Sequence, residues 1–315
     1  MALWLVTGGC GFIGSHLVAA LQGRGDEVRV LDDLSNGKRE NIRPDTELLV
    51  GDVADPKAVA KALDGVAGCF HLAAVASVQR CTEEWATSHR TNLSGTVTIF
   101  EEARRANPAA PIPVVYASSA AVYGACGSLP LREADATVPL SAYGVDKLGC
   151  ELQGRIAWSV HHVPNVGLRF FNVYGPRQDP SSPYSGVIAI FSDRLIHDRE
   201  VPVFGDGLQT RDFIYVDDVV AHLLAAMSDL RAGARIFNVC TGKAVSLLDL
   251  VEIMGSLLHR RPRLSHCAAR PADIRDSIGD PTAADTTFGI HKRTAISEGL
   301  GRTIEAFRHT AKDLY

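Results

Sequence analysis

Up to residue 171, apolar residues come in short runs rich in valine, isoleucine and leucine, at 3–7, 28–31, 48–50, 69–72, 114–117 and 167–171. Between them, segments 12–23, 57–63, 91–106 and 143–158 space their apolar side chains three or four positions apart. Runs that are apolar on both faces predict strands of a parallel sheet covered on both sides, and the amphipathic segments predict its crossover helices. Such crossovers are right-handed, so the pattern predicts an α/β fold with a doubly wound parallel (Rossmann) sheet. The second half loses this rhythm. Segment 176–186 is rich in Pro, Ser and Gly, and 268–280 is irregular again. Both are expected to be functional loops over a smaller unit.

Composition narrows the picture. A chain of 315 residues, 46% of them hydrophobic, exceeds the roughly 250–300 residues at which one core stops growing. Lys and Arg number 32 against 36 Asp and Glu, a net charge of −4. That offers no basic footprint for nucleic acid or an anionic membrane. No apolar run approaches the ~20 residues of a membrane span, and the first, 3–6, is too short for a signal-peptide core. The seven cysteines are scattered without a CxxC pair. This argues against a disulfide framework and a zinc site, and for free thiols, no metal and a cytoplasmic setting.

Directly after the first strand, TGGCGFIG places Gly8, Gly11 and Gly14 in a GxxGxxG turn that opens a helix at Phe12 and Ile13. Glycines permit the tight turn and the close approach of backbone to a pyrophosphate, which then lies over free helix amides. Asp32, 18 residues beyond Gly14, closes the second strand. A carboxylate there accepts ribose hydroxyls and repels a 2′-phosphate, so NAD is favoured over NADP, although Lys38 and Arg39 pull the other way. Asp52 and Val53, after the third strand, are placed to meet the adenine; a loop acid or helix cap accounts for Asp52 equally well.

Tyr143 and Lys147 stand at i and i+4 on one helical face. A free phenol, with a pKa near 10, is a poor base at neutral pH. A nearby ammonium and an oxidised nicotinamide favour its anion. Ser119 ends the fifth strand, where the carboxyl ends of a parallel sheet form the ligand crevice; Ser118 is expected to pack inward by alternation.

In this order the residues resemble the extended short-chain dehydrogenase/reductases, and within them the UDP-sugar 4-epimerases. The resemblance rests on TGGCGFIGSHL (7–17), DDLSNG (32–37), HLAAVASV (71–78), SSAAVYG (118–124), YGVDK (143–147), RFFNVYGP (169–176), GDGLQTRDFIYVDD (205–218) and RPAD (270–273). It implies a catalytic set of Ser119, Tyr143 and Lys147, and it adds Asn36 to the cofactor residues. It implies nucleotide-sugar contacts from Asn172, Arg211, Arg270 and Asp273, with Val187 and Phe213 near uracil and ribose. It divides the chain into an NAD-binding unit, 1–171, completed by part of 212–240, and a largely UDP-sugar-binding remainder, 172–315. The implied activity is reversible C4 epimerisation of a UDP-hexose through a transient 4-keto sugar. Two departures refine this. Dehydratases and decarboxylases of the superfamily carry an acid shortly after the serine or threonine, where this chain has Ala120 and Ala121. Ser277 matches a position bordering the sugar C2 substituent, and its small side chain leaves room for an acetamido group. UDP-GlcNAc/UDP-GalNAc is therefore the expected pair, with UDP-Glc/UDP-Gal beside it. The alternatives are a dehydratase or decarboxylase, or a non-catalytic dinucleotide-binding regulator. The resemblance also implies a homodimer.

Overall fold

The computed structural model describes residues 1–125, 128–180, 186–230, 232–269 and 274–312. The chain runs β1 (Leu3–Thr7), α1 (Phe12–Gly23), β2 (Glu27–Asp32), β3 (Glu47–Val50), α2 (Pro56–Leu63), β4 (Gly68–His71), α3 (Val78–Glu83) and α4 (Trp85–His89). It continues through α5 (Gly95–Ala106), β5 (Val114–Ser119), α6 (Ala142–His161), β6 (Asn165–Phe170), β7 (Asn172–Tyr174), α7 (Val187–Ile196), β8 (Val201–Phe204), β9 (Thr210–Arg211) and β10 (Phe213–Tyr215). Then follow α8 (Val216–Ser228), β11 (Ala234–Val239), β12 (Val245–Ser246), α9 (Leu247–Leu257), β13 (Leu264–Cys267), β14 (Asp276–Ser277), α10 (Thr282–Phe288) and α11 (Ile296–Lys312).

Seven of these strands form one sheet in the order β11-β6-β5-β4-β1-β2-β3, every neighbour parallel. Five of the six expected runs are inner strands with helices over both faces; the run at 48–50 is β3, an edge strand that leaves Val50 exposed. Leu17, Val18 and Leu21 of α1 pack with Val219, Leu223 and Ala226 of α8 against one face. Val59 and Leu63 of α2, Ile99 and Phe100 of α5 and Ala157 of α6 pack against the other. The reversal between β4 and β1 opens a crevice at the carboxyl ends of the strands, where ligands bind in folds of this kind.

The segment expected to be one helix over 91–106 is two. Arg90–Ser94 is wound as a π-helix before α5 begins at Gly95. A side chain at Gly95 would approach Val53 Cγ2 to 2.8 Å, so only glycine lets α5 pack there. The widened turn is satisfied by side chains: Thr96 Oγ1 and Cys150 Sγ both donate to the Asn92 carbonyl, at 2.8 and 3.3 Å.

Most of the remaining chain forms a smaller unit around a separate cluster that includes Tyr174, Phe191, Phe213, Leu250, Met254 and Leu300. Its strands are short: β7 pairs with β10, β8 with β13, and β9 lies between β12 and β14. Among the described residues no helix is long and apolar enough to cross a membrane, and the six described cysteines are free thiols.

Candidate active site

A cleft of about 1440 Å³ lies along the carboxyl ends of the sheet. It is lined by Gly8, Gly11, Phe12, Ile13, Gly14, Asp32, Asn36, Asp52 and Val53 on one side, and by Ser119, Tyr143 and Lys147 at its centre. Asn172, Arg211 and Ser277 line it from the smaller unit.

The first wall is a backbone cradle. Gly8 has φ +68°, and a Cβ there would sit 2.8 Å from the Ala73 backbone. A Cβ on Gly14 would come within 2.1 Å of the Gly8 carbonyl oxygen. Helix α1 starts at this turn with no capping side chain and no acid in its first turn, so its amides and dipole face the cleft uncompensated. Both Asp32 oxygens accept backbone amides, from Cys10 and Leu34, each at 2.9 Å. Burial raises the Asp32 pKa while those amides oppose it. Asp52 accepts the Ala54 amide at 2.8 Å and pairs with Arg90. A glycine cradle only backbone can fill, an uncapped helix start and a fixed carboxylate together fit a dinucleotide carrying a free ribose diol.

Behind the cradle, Thr7 and His71 form a buried polar link. Thr96 Oγ1 gives its hydrogen to Asn92, so it accepts from His71 Nε2 at 3.1 Å, and His71 Nδ1 accepts from Thr7 Oγ1 at 2.8 Å. Burial, with Lys147 nearby, pushes the His71 pKa down to about 3, so the ring is neutral.

At the centre, Ser119 ends β5 and its Oγ accepts the Ala121 amide at 3.1 Å. The hydroxyl hydrogen is left to donate elsewhere. Ser141 caps α6 by accepting the Gly144 amide at 3.1 Å. A Cβ on Gly144 would lie 2.6 Å from the Ala121 oxygen, so α6 sits directly on the turn after Ser119, bringing Tyr143 beside it. The Lys147 ammonium donates to the Ala117 carbonyl at 2.9 Å and lies 5.8 Å from the centre of the Tyr143 ring. Ser118 points inward and donates to Glu151 at 2.5 Å. Glu151 of α6 in turn holds Arg169 of β6 through two hydrogen bonds, of 2.8 and 2.7 Å. Arg169 covers the Tyr123 ring. This buried pair ties the Tyr143 helix to two strands.

The third wall hangs on Asp212, a fully buried carboxylate between β9 and β10. It accepts the amide and hydroxyl of Thr241 at 2.8 and 2.6 Å, and the amides of Gly242 and Gly279 at 2.8 and 3.3 Å. Its carbonyl accepts the Asn172 amide at 3.0 Å and Nδ2 at 3.2 Å. Arg211 lies in register with Ser277 of β14, which puts both on the cleft. Val187 and Phe213 do not line it. Phe213 faces the core, edge-on to Tyr174, and Val187 packs on the same cluster at the start of α7. Arg270 and Asp273 lie outside the described residues. Asp212, Glu151 and Arg169 were not singled out from the sequence. For Arg169 and Asp212 the signal was a charged residue inside an otherwise strand-like run.

Residues 4–240 match the NAD dependent epimerase/dehydratase family. The UDP-glucose 4-epimerase of Mycolicibacterium smegmatis is 35% identical over 98% of this chain and 99% of its own. A UDP-N-acetyl-alpha-D-glucosaminuronate decarboxylase of Bacillus cytotoxicus is 30% identical over 98% of both. Among solved structures, a UDP-glucose 4-epimerase of Thermotoga maritima with UDP-glucose superposes with a TM-score of 0.93 at 34% identity, covering 98% of this chain and 99% of that one. A UDP-N-acetylglucosamine 4-epimerase of Methanobrevibacter ruminantium, in complex with UDP-N-acetylmuramic acid, gives 0.93 at 32% identity with the same coverage.

Proposed function

The chain belongs to the NAD dependent epimerase/dehydratase family, in its UDP-sugar 4-epimerase branch, and we propose that it inverts C4 of a UDP-hexose, with UDP-GlcNAc and UDP-GalNAc as its preferred pair. The observation that carries this reading is the convergence of Ser119, Tyr143 and Lys147 on the cleft that also holds the glycine cradle and Arg211. Gly8 to Gly14 hold the cofactor pyrophosphate, Asp32 and Asn36 its ribose end, and Asp52 and Val53 the adenine side. Bound NAD supplies a reversible hydride acceptor at C4. Tyr143 removes the proton of the sugar 4-OH, Lys147 offsets the charge the phenol acquires, and Ser119 hydrogen-bonds the same oxygen. Asn172 and Arg211, with Arg270 and Asp273, anchor the nucleotide end while the 4-keto sugar presents its other face. Tyr143 then returns the proton. Remote anchoring leaves the sugar free to turn without losing its binding energy.

The turn after Ser119 carries Ala120 and Ala121, both on the cleft, so no carboxylate stands there for elimination. Ser277 on β14 also faces the cleft, and its small side chain admits an N-acetyl group. The test is incubation of the purified protein with UDP-GlcNAc and, separately, UDP-Glc, followed by separation of the C4 epimers. Epimer from UDP-GlcNAc at the higher kcat/KM is the expected result. No epimer from either substrate overturns the activity, and reaction of UDP-Glc alone overturns only the substrate preference.

The reading includes a homodimer. Val145, Leu152, Ile156 and Val160 form a stripe along α6, each more than half exposed, and Val97 of α5 is exposed as well. Exposed apolar side chains along α6, with Val97 on the neighbouring α5, suit a second copy of the same face. Light scattering should give twice the chain mass, and Ile156→Lys should return it to the monomer.

A further inference from the structure

The glycine cradle offers backbone amides to a pyrophosphate but no cation. Apart from Arg177, the described cations that line the cleft are engaged: Lys38 with Asp179 at 3.4 Å, Arg80 with Glu84, Arg90 with Asp52, Lys147 with the Ala117 carbonyl, and Arg211 with the Thr210 and Arg275 carbonyls. Arg177 also lines the cleft, and it makes no hydrogen bond or ion pair with a described residue. It sits on segment 176–179, which crosses from the smaller unit to the cradle and is tethered on both sides. On one side His16 of α1 donates Nε2–H to the Pro176 carbonyl at 3.0 Å, while Gly175 packs near Phe12, the first residue of that helix. On the other, Asp179 pairs with Lys38, whose backbone amide bonds the Cys10 carbonyl within the glycine turn. Between the tethers Gln178 folds back to donate to the Val173 carbonyl at 3.3 Å. Arg177 has φ +67°, a left-handed conformation that side chains other than glycine rarely adopt.

We propose that segment 176–179 is a strap over the bound dinucleotide, latched by His16 and by the Lys38–Asp179 pair, with Arg177 as its contact to the cofactor pyrophosphate. The inference rests on the reading of the cleft as an NAD site. A guanidinium fork matches a diphosphate bidentately and stays charged at any working pH. The helix amides bind the phosphates from one side and Arg177 closes the other. Retention suits the chemistry as well. Epimerisation leaves no net redox change, so loss of the cofactor midway would strand an oxidised sugar.

The experiment measures NAD release from the purified holoprotein after rapid gel filtration, by assay of the NAD that remains bound with time. Arg177→Ala should release NAD about tenfold faster or more, with Arg177→Lys between it and the wild type. Asp179→Ala, which opens one latch while leaving Arg177, should give a smaller acceleration. Added salt should speed release from the wild type and leave Arg177→Ala nearly unchanged, because an ion pair is screened and a packing contact is not. Release from Arg177→Ala at the wild-type rate, with unchanged thermal unfolding, overturns the strap. Should Arg177→Ala fail to fold, wild-type release and wild-type salt response in Arg177→Lys and Asp179→Ala together overturn it. A wild-type protein that binds no NAD overturns the reading of the cleft, and the strap with it.

Discussion

One wall of the cleft rests on strand ends of a seven-stranded sheet, and the opposite wall on strands of two and three residues. In the first, the site residues are positioned by elements that would exist without a ligand: β1 and α1 set the cradle, β5 sets Ser119, and α6 sets Tyr143 and Lys147. In the second, Asn172, Arg211 and Ser277 owe their places to one buried carboxylate, Asp212, and the four groups that donate to it. The difference suits the proposed division of labour. Proton and hydride transfer tolerate little displacement, whereas a wall that grips the nucleotide while the sugar turns can be built from loops pinned at one point.

The largest expected effect is on chemistry at the sheet wall. Tyr143→Phe removes the proposed proton acceptor without disturbing the cradle, and turnover should fall by about 10²–10⁴-fold while NAD binding is kept. The epimer assay and NAD retention, measured on one preparation, check both parts, and a variant with full turnover would remove Tyr143 from its role. Next comes Glu151→Ala. It strands Arg169, whose side chain is only 6% exposed, and loss of one partner of a buried pair costs about 3–5 kcal/mol. Urea unfolding should show that loss. Because Glu151 also ties α6 to β5 through Ser118, kcat should fall too; a variant as stable as wild type would mean the sheet wall is not held this way.

The readable part of the molecule follows the same division. The apolar runs and the helices between them were legible because strands of a sheet that helices cover on both faces are largely apolar. The glycine turn, Asp32, Ser119 and the Tyr143–Lys147 pair were legible because sequence neighbours become spatial neighbours at a strand end. Phe213 shows why the other wall was harder. In a three-residue strand a shift of one position decides whether a side chain meets the core or the cleft, and the structure turns it to Tyr174. Asp212 was hidden because its partners, Thr241, Gly242 and Gly279, are 29 to 67 residues away in sequence. The π-turn at Arg90–Ser94 depends on Val53 and Cys150, which helical periodicity does not report.

Asp212→Asn tests whether the loop wall truly hangs on one point. The amide keeps the shape but presents donors to at least one backbone amide, a cost of about 1–3 kcal/mol. If the walls are as separate as their construction suggests, the KM for the UDP-sugar should rise several-fold while kcat stays within about twofold. An equal fall in kcat would mean that Asp212 also positions the chemistry.

The smallest effect separates the walls by acid. Two buried histidines support the sheet unit. His71 lies behind the cradle, and on α8 His222 donates Nδ1–H to the Asp218 carbonyl at 2.6 Å and accepts from Arg293 at 3.0 Å. Burial pushes their pKa values down to about 3 and about 4, against an ordinary value near 6.5. Between those limits the unfolded chain takes up protons that the folded chain refuses, so their contribution is complete above pH ~6.5 and is lost as pH falls. At pH 5 the loss is about 2 kcal/mol for each. Asp212, on the loop wall, has its pKa raised by burial and contributes with the opposite sign, since its folded form takes up a proton more readily. The three tryptophans, Trp4 on β1, Trp85 on α4 and Trp158 on α6, all belong to the sheet unit, so their fluorescence reports it. Its urea midpoint should drop between pH 7 and pH 5, and His222→Gln, which can still accept from Arg293, should remove about half of that drop. A midpoint that does not move, or a pH response untouched by the substitution, would mean that acid acts on this protein through the loop wall instead.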